Sequence, residues 1–370
     1  MERDVEAFVG EQLRLARIAW GLSLEEVGQA VQATRQYIQQ LETGAKKPNS
    51  DMVAALADVL GIEPLFLRSH IRSSVKPEQC HFRKQMTTPV SVTSLVLARG
   101  SILDRLAGEL DRLLRLPTVN FPDIPISAPE EIERAAEETR RHWGLGADGP
   151  IISMMRVVEN AGAVVTCLGG ISERVDALSM DRPRPIIVRS AAKESLCRLR
   201  FDLAHETGHL VMHRGLQTGD RETEDQANRF ASAFLLPRFA FLREFPRGRT
   251  LNWTEIFNMK LRWKVAARAI VRRAYDLGAI SAAQYRTANI HLVKSGQAKC
   301  ERYDDQLPME PPELFDAALD KLERSKPGST RALARSMGLG ERLFEMVAGR
   351  KLPEDGVIET GNIIRFPARG

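Results

Sequence analysis

Apolar and polar residues follow a helical period in the first part of the chain. Over residues 13–67 the apolar positions predict four or five short amphipathic helices separated by brief turns. Ser23 and Glu26 have the spacing of a capping box, and Thr34 is the expected N-cap of a helix over residues 35–42. A segment of this size is too small for a catalytic core but sufficient for a compact helical domain.

Beyond this segment the pattern mixes helices with short strands, which predicts an α+β fold. Short apolar runs predict strands at residues 163–167 and 185–189. A Pro-rich connector covers residues 117–129. Helical spacing predicts further helices over residues 92–116, 130–143, 153–161, 253–293 and 330–348.

Composition narrows the class of protein. The chain has 370 residues, of which 43% are hydrophobic, enough for two or three packed domains. The charged start Met1-Glu2-Arg3-Asp4 and the lack of an apolar run of membrane-spanning length indicate a cytoplasmic protein without a membrane partner. The four cysteines lie far apart without a Cys-x-x-Cys pattern, so we expect no disulfide framework.

The stretch from Ala204 to Leu210 contains a His-Glu-x-x-His pattern within an apolar run that reads as helix. Residues four apart lie on one helix face, so His205 and His209 can hold one zinc ion with Glu206 beside them. Zinc lowers the pKa of bound water from about 15.7 towards ~7, and a neighbouring carboxylate can then accept the proton. The pattern therefore predicts a zinc peptidase, with a surface helix carrying two unrelated histidines as the alternative.

A catalytic zinc needs a third protein ligand, and Glu224 is the candidate. It opens an amphipathic helix that ends before Pro237, and its spacing places it on the buried face. Asn228, four residues later, is expected to hydrogen-bond a ligand histidine from outside the metal shell. Glu222 is the fallback ligand. The alternative for Glu224 is an acidic residue favoured at a helix N-terminus by the helix dipole.

Residues 200–209, Glu224 to Ala231 and Leu235-Leu236-Pro237 together resemble the ImmA/IrrE family of zinc metallo-endopeptidases. The resemblance covers roughly residues 75–290, including His81-Phe82-Arg83 and the Pro185–Val188 strand. It implies that His205, His209 and Glu224 bind Zn²⁺ and that Glu206 is the general base. It also implies a protein substrate, a repressor or antitoxin encoded nearby.

Three residues near these motifs have more than one interpretation. His213, four residues beyond His209, is expected to be a core residue or a supporting residue outside the metal shell. Asp202 stands where small hydroxyl residues are common in the family and adds charge near the metal. A Cys80 thiolate could occupy the open zinc position, although an inert buried cysteine is the expected role.

Residues 34–44, 46–48 and 57–61 resemble the lambda-repressor-like, XRE-type helix-turn-helix. The resemblance implies that the helix over residues 35–42 lies in the major groove of operator DNA. Arg35 suits guanine, whereas Gln36 and Gln40 suit adenine. Lys46 and Lys47 would add a local basic face. Gln32, at a turn position where glycine is usual, and Leu24 depart from the pattern.

Charge limits how this N-terminal module can bind DNA. The whole chain carries +5, but residues 1–70 contain seven basic and ten acidic residues, a net charge of −3. Such a module must rely on a local basic face and should bind weakly as a monomer, so we expect a homodimer. The alternative is a helix-turn-helix used only for docking.

These observations predict four segments. They are a helix-turn-helix domain (1–70), a helical connector (71–128), a zincin-like α+β peptidase domain (129–248) and a helical C-terminal region (249–370). The leading hypothesis is a DNA-binding transcriptional regulator whose zinc-dependent endopeptidase domain cleaves a repressor- or antitoxin-like partner. The alternative hypothesis is a non-proteolytic regulator that keeps the zincin fold as a sensor or scaffold.

Overall fold

A computed structural model describes residues 8–69, 75–76, 79–82, 90–167, 177–189, 195–216 and 218–353. It combines many helices with one four-stranded sheet, so the expected α+β class with helical ends is confirmed. Within the described ranges, no helix is long and apolar enough to cross a membrane.

The described part of the N-terminal module contains four α-helices followed by a short 3-10 helix at Phe66–Arg68. Ser23 and Glu26 form the expected capping box, and the Thr34 hydroxyl accepts from the Tyr37 N–H. Gly28 allows close approach of the chain, because a Cβ there would lie 2.7 Å from the Ala33 carbonyl oxygen. The helices are α1 (Gly10–Trp20), α2 (Leu24–Ala30), α3 (Arg35–Glu42) and α4 (Ser50–Leu60).

The module shares a hydrophobic cluster with a long central helix and with the last helices of the chain. The Glu63 N–H donates to the Gly338 carbonyl at 2.9 Å, and Gly338 packs so closely on Phe66 that no Cβ fits. The end of the chain therefore stabilises the N-terminal module. The helices concerned are α5 (Val90–Leu114), α14 (Leu314–Ser325), α15 (Ser329–Ser336) and α16 (Glu341–Ala348).

The sheet has the strand order β1-β3-β4-β2. Its two middle strands, β3 and β4, pair antiparallel, and β2 pairs parallel with β4. The edge strand β1 pairs antiparallel with β3. The strands predicted at residues 163–167 and 185–189 are confirmed as β2 and β4, whereas the other two were not expected. The strands are β1 (Cys80–Phe82), β2 (Val164–Cys167), β3 (Ala177–Met180) and β4 (Ile186–Arg189).

The two faces of the sheet belong to two different cores. Leu178 and Met180 join the cluster that contains the N-terminal module, whereas Val165 and Ile187 join a second cluster. The sheet thus links the N-terminal module to the second core. The helices of the second core are α6 (Glu131–His142), α7 (Met154–Asn160), α8 (Leu196–Met212), α9 (Arg221–Leu235), α10 (Arg238–Glu244), α11 (Trp253–Trp263), α12 (Ala267–Asp276) and α13 (Ala282–Lys294).

Candidate metal centre and DNA-facing helix

Two buried histidines of α8 meet a half-buried glutamate of α9 at one site. The Nε2 atoms of His205 and His209 lie 3.1 Å apart. Each Nε2 atom is 3.4 Å from a carboxylate oxygen of Glu224. Within the described ranges, the ligand atoms of these three residues form a group close enough to share one metal ion.

The local sequence explains why α9 brings Glu224 to this point. The Asp220 carboxylate caps the helix by accepting from the N–H groups of Glu222 and Thr223. Gly208 lets α9 approach α8, because a Cβ at this position would lie 3.0 Å from the Phe230 ring. Glu222 is exposed and accepts from the Gln226 side chain, so the structure does not bring it to the two histidines.

Hydrogen bonds orient both imidazoles. His205 Nδ1 donates to Asn228 Oδ1 at 3.0 Å, which leaves the Nε2 lone pair facing the site. His213 Nε2 donates to Gln226 Oε1 at 2.7 Å, so His213 Nδ1 accepts from His209 Nδ1 at 2.9 Å. The lone pair of His209 Nε2 consequently also faces the site. His213 therefore lies behind a candidate ligand rather than in the ligand group.

The electrostatics suit a metal ion. Burial lowers the pKa of His209 to about 3, so its ring is neutral near pH 7. Although burial raises the pKa of Glu224, the adjacent His205 and His209 rings lower it to about 2. Two imidazoles and one carboxylate, with an open fourth position, are a donor set typical of catalytic zinc. The residues present therefore fit a zinc ion.

Glu206 lies fully buried beside this group. Its Oε2 atom accepts from Ser179 Oγ in β3 at 2.6 Å, whereas Oε1 has no hydrogen-bond partner among the described residues. Burial raises the pKa of the Glu206 carboxyl to about 7. A buried carboxylate oxygen without a partner is unfavourable unless it serves a further role. Asp202, one turn earlier on α8, is also buried.

His81 is a further residue at the site, beyond the sequence-predicted ligands. Its ring stacks on His209 with centroids 5.0 Å apart, and its Nδ1 lies 2.7 Å from Thr218 Oγ1. Burial lowers the pKa of His81 to about 4. Cys80 points to the opposite face of the sheet, where it packs in the cluster with α5. The family resemblance includes His81, but its place beside His209 follows from the pairing of β1 with β3, about 100 residues apart in sequence.

The candidate DNA contacts lie at and after the start of α3. Arg35 and Gln36 occupy its first two positions and are exposed, and Gln40 lies about one turn further on. Lys46 and Lys47 are exposed beyond the helix, and Lys46 Nζ lies 5.6 Å from the centre of the Tyr37 ring. The turn before α3 requires a left-handed residue, since Gln32 has φ 55°.

Comparisons with known proteins assign both modules. Residues 9–68 match the family model of a helix-turn-helix domain, and residues 158–275 match that of the IrrE N-terminal-like domain, a peptidase family. An uncharacterized HTH-type transcriptional regulator of Sinorhizobium fredii is 24% identical over 98 residues, which are 26% of this chain and 68% of the relative. The chain thus carries a helix-turn-helix domain followed by an IrrE N-terminal-like domain, a combination that fits a transcriptional regulator.

Proposed function

We propose that this chain is a DNA-binding regulator whose IrrE-like domain is a zinc-dependent endopeptidase. Its substrate would be a repressor- or antitoxin-like protein, and cleavage would relieve repression. The observation that carries the proposal is the convergence of His205, His209 and Glu224 on one point beside the buried Glu206. A protein that used this fold only as a scaffold would have no need for Glu206.

Each side chain has a defined part in this chemistry. A bound zinc ion would polarise the peptide carbonyl of the substrate and lower the pKa of a bound water. Glu206 Oε1, which has no partner in the described part of the chain, would accept the proton of that water. Ser179 Oγ holds the other carboxylate oxygen and so fixes the orientation of the base. Asn228 and His213 hold the two imidazoles with their lone pairs towards the site.

The peptidase proposal is tested by Glu206→Gln. The amide is nearly isosteric but cannot accept the proton, so zinc content should be unchanged while cleavage falls at least ~100-fold. The assay measures the metal content of the purified protein and the cleavage of the proposed repressor- or antitoxin-like partner, both in cells under stress and with purified components. Glu255→Gln, an exposed change on α11, is the matched control. If derepression proceeds equally well with Glu206→Gln, the non-proteolytic regulator replaces the peptidase.

The DNA-binding half of the proposal rests on the exposed start of α3. Arg35→Ala and Gln36→Ala should each weaken specific operator binding by about 1–3 kcal/mol without changing zinc content. Binding to the promoter region of the protein's own gene, measured at several salt concentrations, should also fall steeply with salt. Arg324→Ala, an exposed change of equal charge on α14, is the control. Unchanged binding in both variants would leave the module a docking role.

A further inference from the structure

The edge strand β1 lies where an extended peptide would add to the sheet. Strand β3 precedes α8 in the chain and packs against it, and the outer edge of β3 could accept an added strand by main-chain hydrogen bonds. In this structure that edge is already paired with residues 80–82 of the same chain. Strands β2, β3 and β4 all lie within residues 158–275, the IrrE-like match, whereas β1 lies outside it. The outer edge of β3 is thus covered by a segment of the same chain that lies before the matched residues.

The register of this pairing places the His81 side chain on the same side of the sheet as the candidate metal centre. His81 is directly opposite Ser179, whose hydroxyl holds Glu206. The Asp181 N–H donates to the Gln79 carbonyl at 2.7 Å. Because hydrogen-bonded pairs alternate in an antiparallel ladder, His81 and Ser179 form the next hydrogen-bonded pair, and their side chains share the α8 face of the sheet.

The His81 side chain fills the space beside the candidate ligands. It is 1% exposed and stacks on His209, and Thr218 holds its Nδ1 atom. Its Nε2 atom is buried and has no hydrogen-bond partner among the residues that the structure describes. A buried ring nitrogen without a partner is costly in an ordinary core. Its position therefore indicates that a group of the substrate or metal site belongs there.

We propose that β1 is an intramolecular occupant of the substrate position. The substrate is an extended protein segment that pairs antiparallel with β3, displaces β1 and places the residue opposite Ser179 beside the metal. This inference rests on the proposed peptidase function. It adds how the substrate is recognised, by strand addition to β3, and how β1 blocks the site when no substrate is bound. Cys80, on the other face of β1, packs in the core shared with the helix-turn-helix module, so displacement of β1 reaches that module.

The chain offers a reversible test through Cys80, whose register partner is Met180. The pair is not hydrogen-bonded, and the Cα separation of such pairs is compatible with a disulfide. Oxidised Met180→Cys should lock β1 onto β3, and a reductant should release it. The probe is a tripeptide hydroxamate, which offers a metal-binding group on an extended backbone. We expect the zinc-loaded oxidised variant to bind the probe at least ~10-fold more weakly than the reduced variant.

Two controls separate the possible outcomes. Met180→Ser, treated with the same oxidant, should bind the probe with equal affinity before and after reduction. His81→Ala should bind the probe more tightly than the natural chain and lose zinc faster to a chromophoric chelator. Equal probe affinity of the locked and reduced forms would overturn the proposal, as would failure of the disulfide to form. Absence of zinc from the natural chain would instead overturn the proposed peptidase function.

Discussion

At the residue scale, the candidate site depends on the orientation of the His205 and His209 imidazole rings. A histidine binds a metal through one nitrogen, and the hydrogen bond at the other nitrogen decides which one is available. Asn228 makes that choice for His205, and a relay from Gln226 through His213 makes it for His209. The two ligand candidates therefore face the same point.

This arrangement predicts that residues outside the ligand group control zinc affinity. Asn228→Ala and His213→Ala should each weaken zinc binding about 10- to 100-fold, because the ligand ring loses the partner that orients it. Competition with a chromophoric chelator measures the change. Asn289→Ala, on α13 and away from the site, should leave the affinity unchanged. Zinc binding by His213→Ala at the natural affinity would show that the relay is not used.

At the element scale, two carboxylates fix α7 against the end of the chain. Glu310 accepts from the N–H groups of Met154 and Met155 at the start of α7. Glu159, near the end of α7, accepts from the N–H groups of Glu313 and Leu314 at the start of α14. Because α7 lies in the second core and α14 in the first, these contacts join the two cores.

The second of these contacts should make stability depend on pH. Burial raises the pKa of Glu159 from 4.5 to about 7, and the nearby Glu313 and Asp316 charges act in the same direction, although the backbone N–H groups oppose them. The folded protein therefore holds this proton more tightly than the unfolded chain, so the contribution to stability falls as pH rises from 4.5 to 7.

Glu159→Gln should remove that part of the pH dependence, since the amide oxygen still accepts the N–H groups but does not titrate. Urea unfolding at pH 5 and pH 7.5 should show a decline in the natural chain that is larger by on the order of 1–3 kcal/mol than in the variant. Glu130→Gln, an exposed change before α6, should keep the decline. Parallel pH profiles for the natural chain and Glu159→Gln would rule out this titration.

The individual helices and strands differ in how well the sequence predicts them. Helices with clear caps, such as α2 and α3, follow from local rules, and β2 and β4 follow from short apolar runs. Strands β1 and β3 have three and four residues and are defined by their pairing across about 100 residues. Sequence spacing therefore could not show that Ser179 hydrogen-bonds to Glu206 or that His81 stacks on His209. The His205, His209 and Glu224 group was accessible because the His-Glu-x-x-His spacing puts two ligands on one helix face and Glu224 opens an amphipathic helix.

At the scale of the whole molecule, one sheet serves two cores. Its first face packs with α5 and the helix-turn-helix module, and its second face packs with α8, which carries the candidate metal ligands. Unfolding either core would expose one face of this shared sheet. A chain with two functional modules usually unfolds in separate steps, but here the shared layer couples them. Strand β1 also contacts both parts of the molecule, because Cys80 packs in the first core and His81 stacks on His209.

We therefore expect both modules to lose structure in one transition. Phe344 in the first core and Phe241 in the second are both fully buried. Each change to alanine should cost about 3–5 kcal/mol through lost burial and a cavity. In urea, each variant should lose zinc and operator binding together, at a lower denaturant concentration than the natural chain. Phe239→Ala, at a position 74% exposed on α10, is the control and should shift neither. If Phe344→Ala moved only the loss of DNA binding, with zinc retained as in the natural chain, the two cores would be independent.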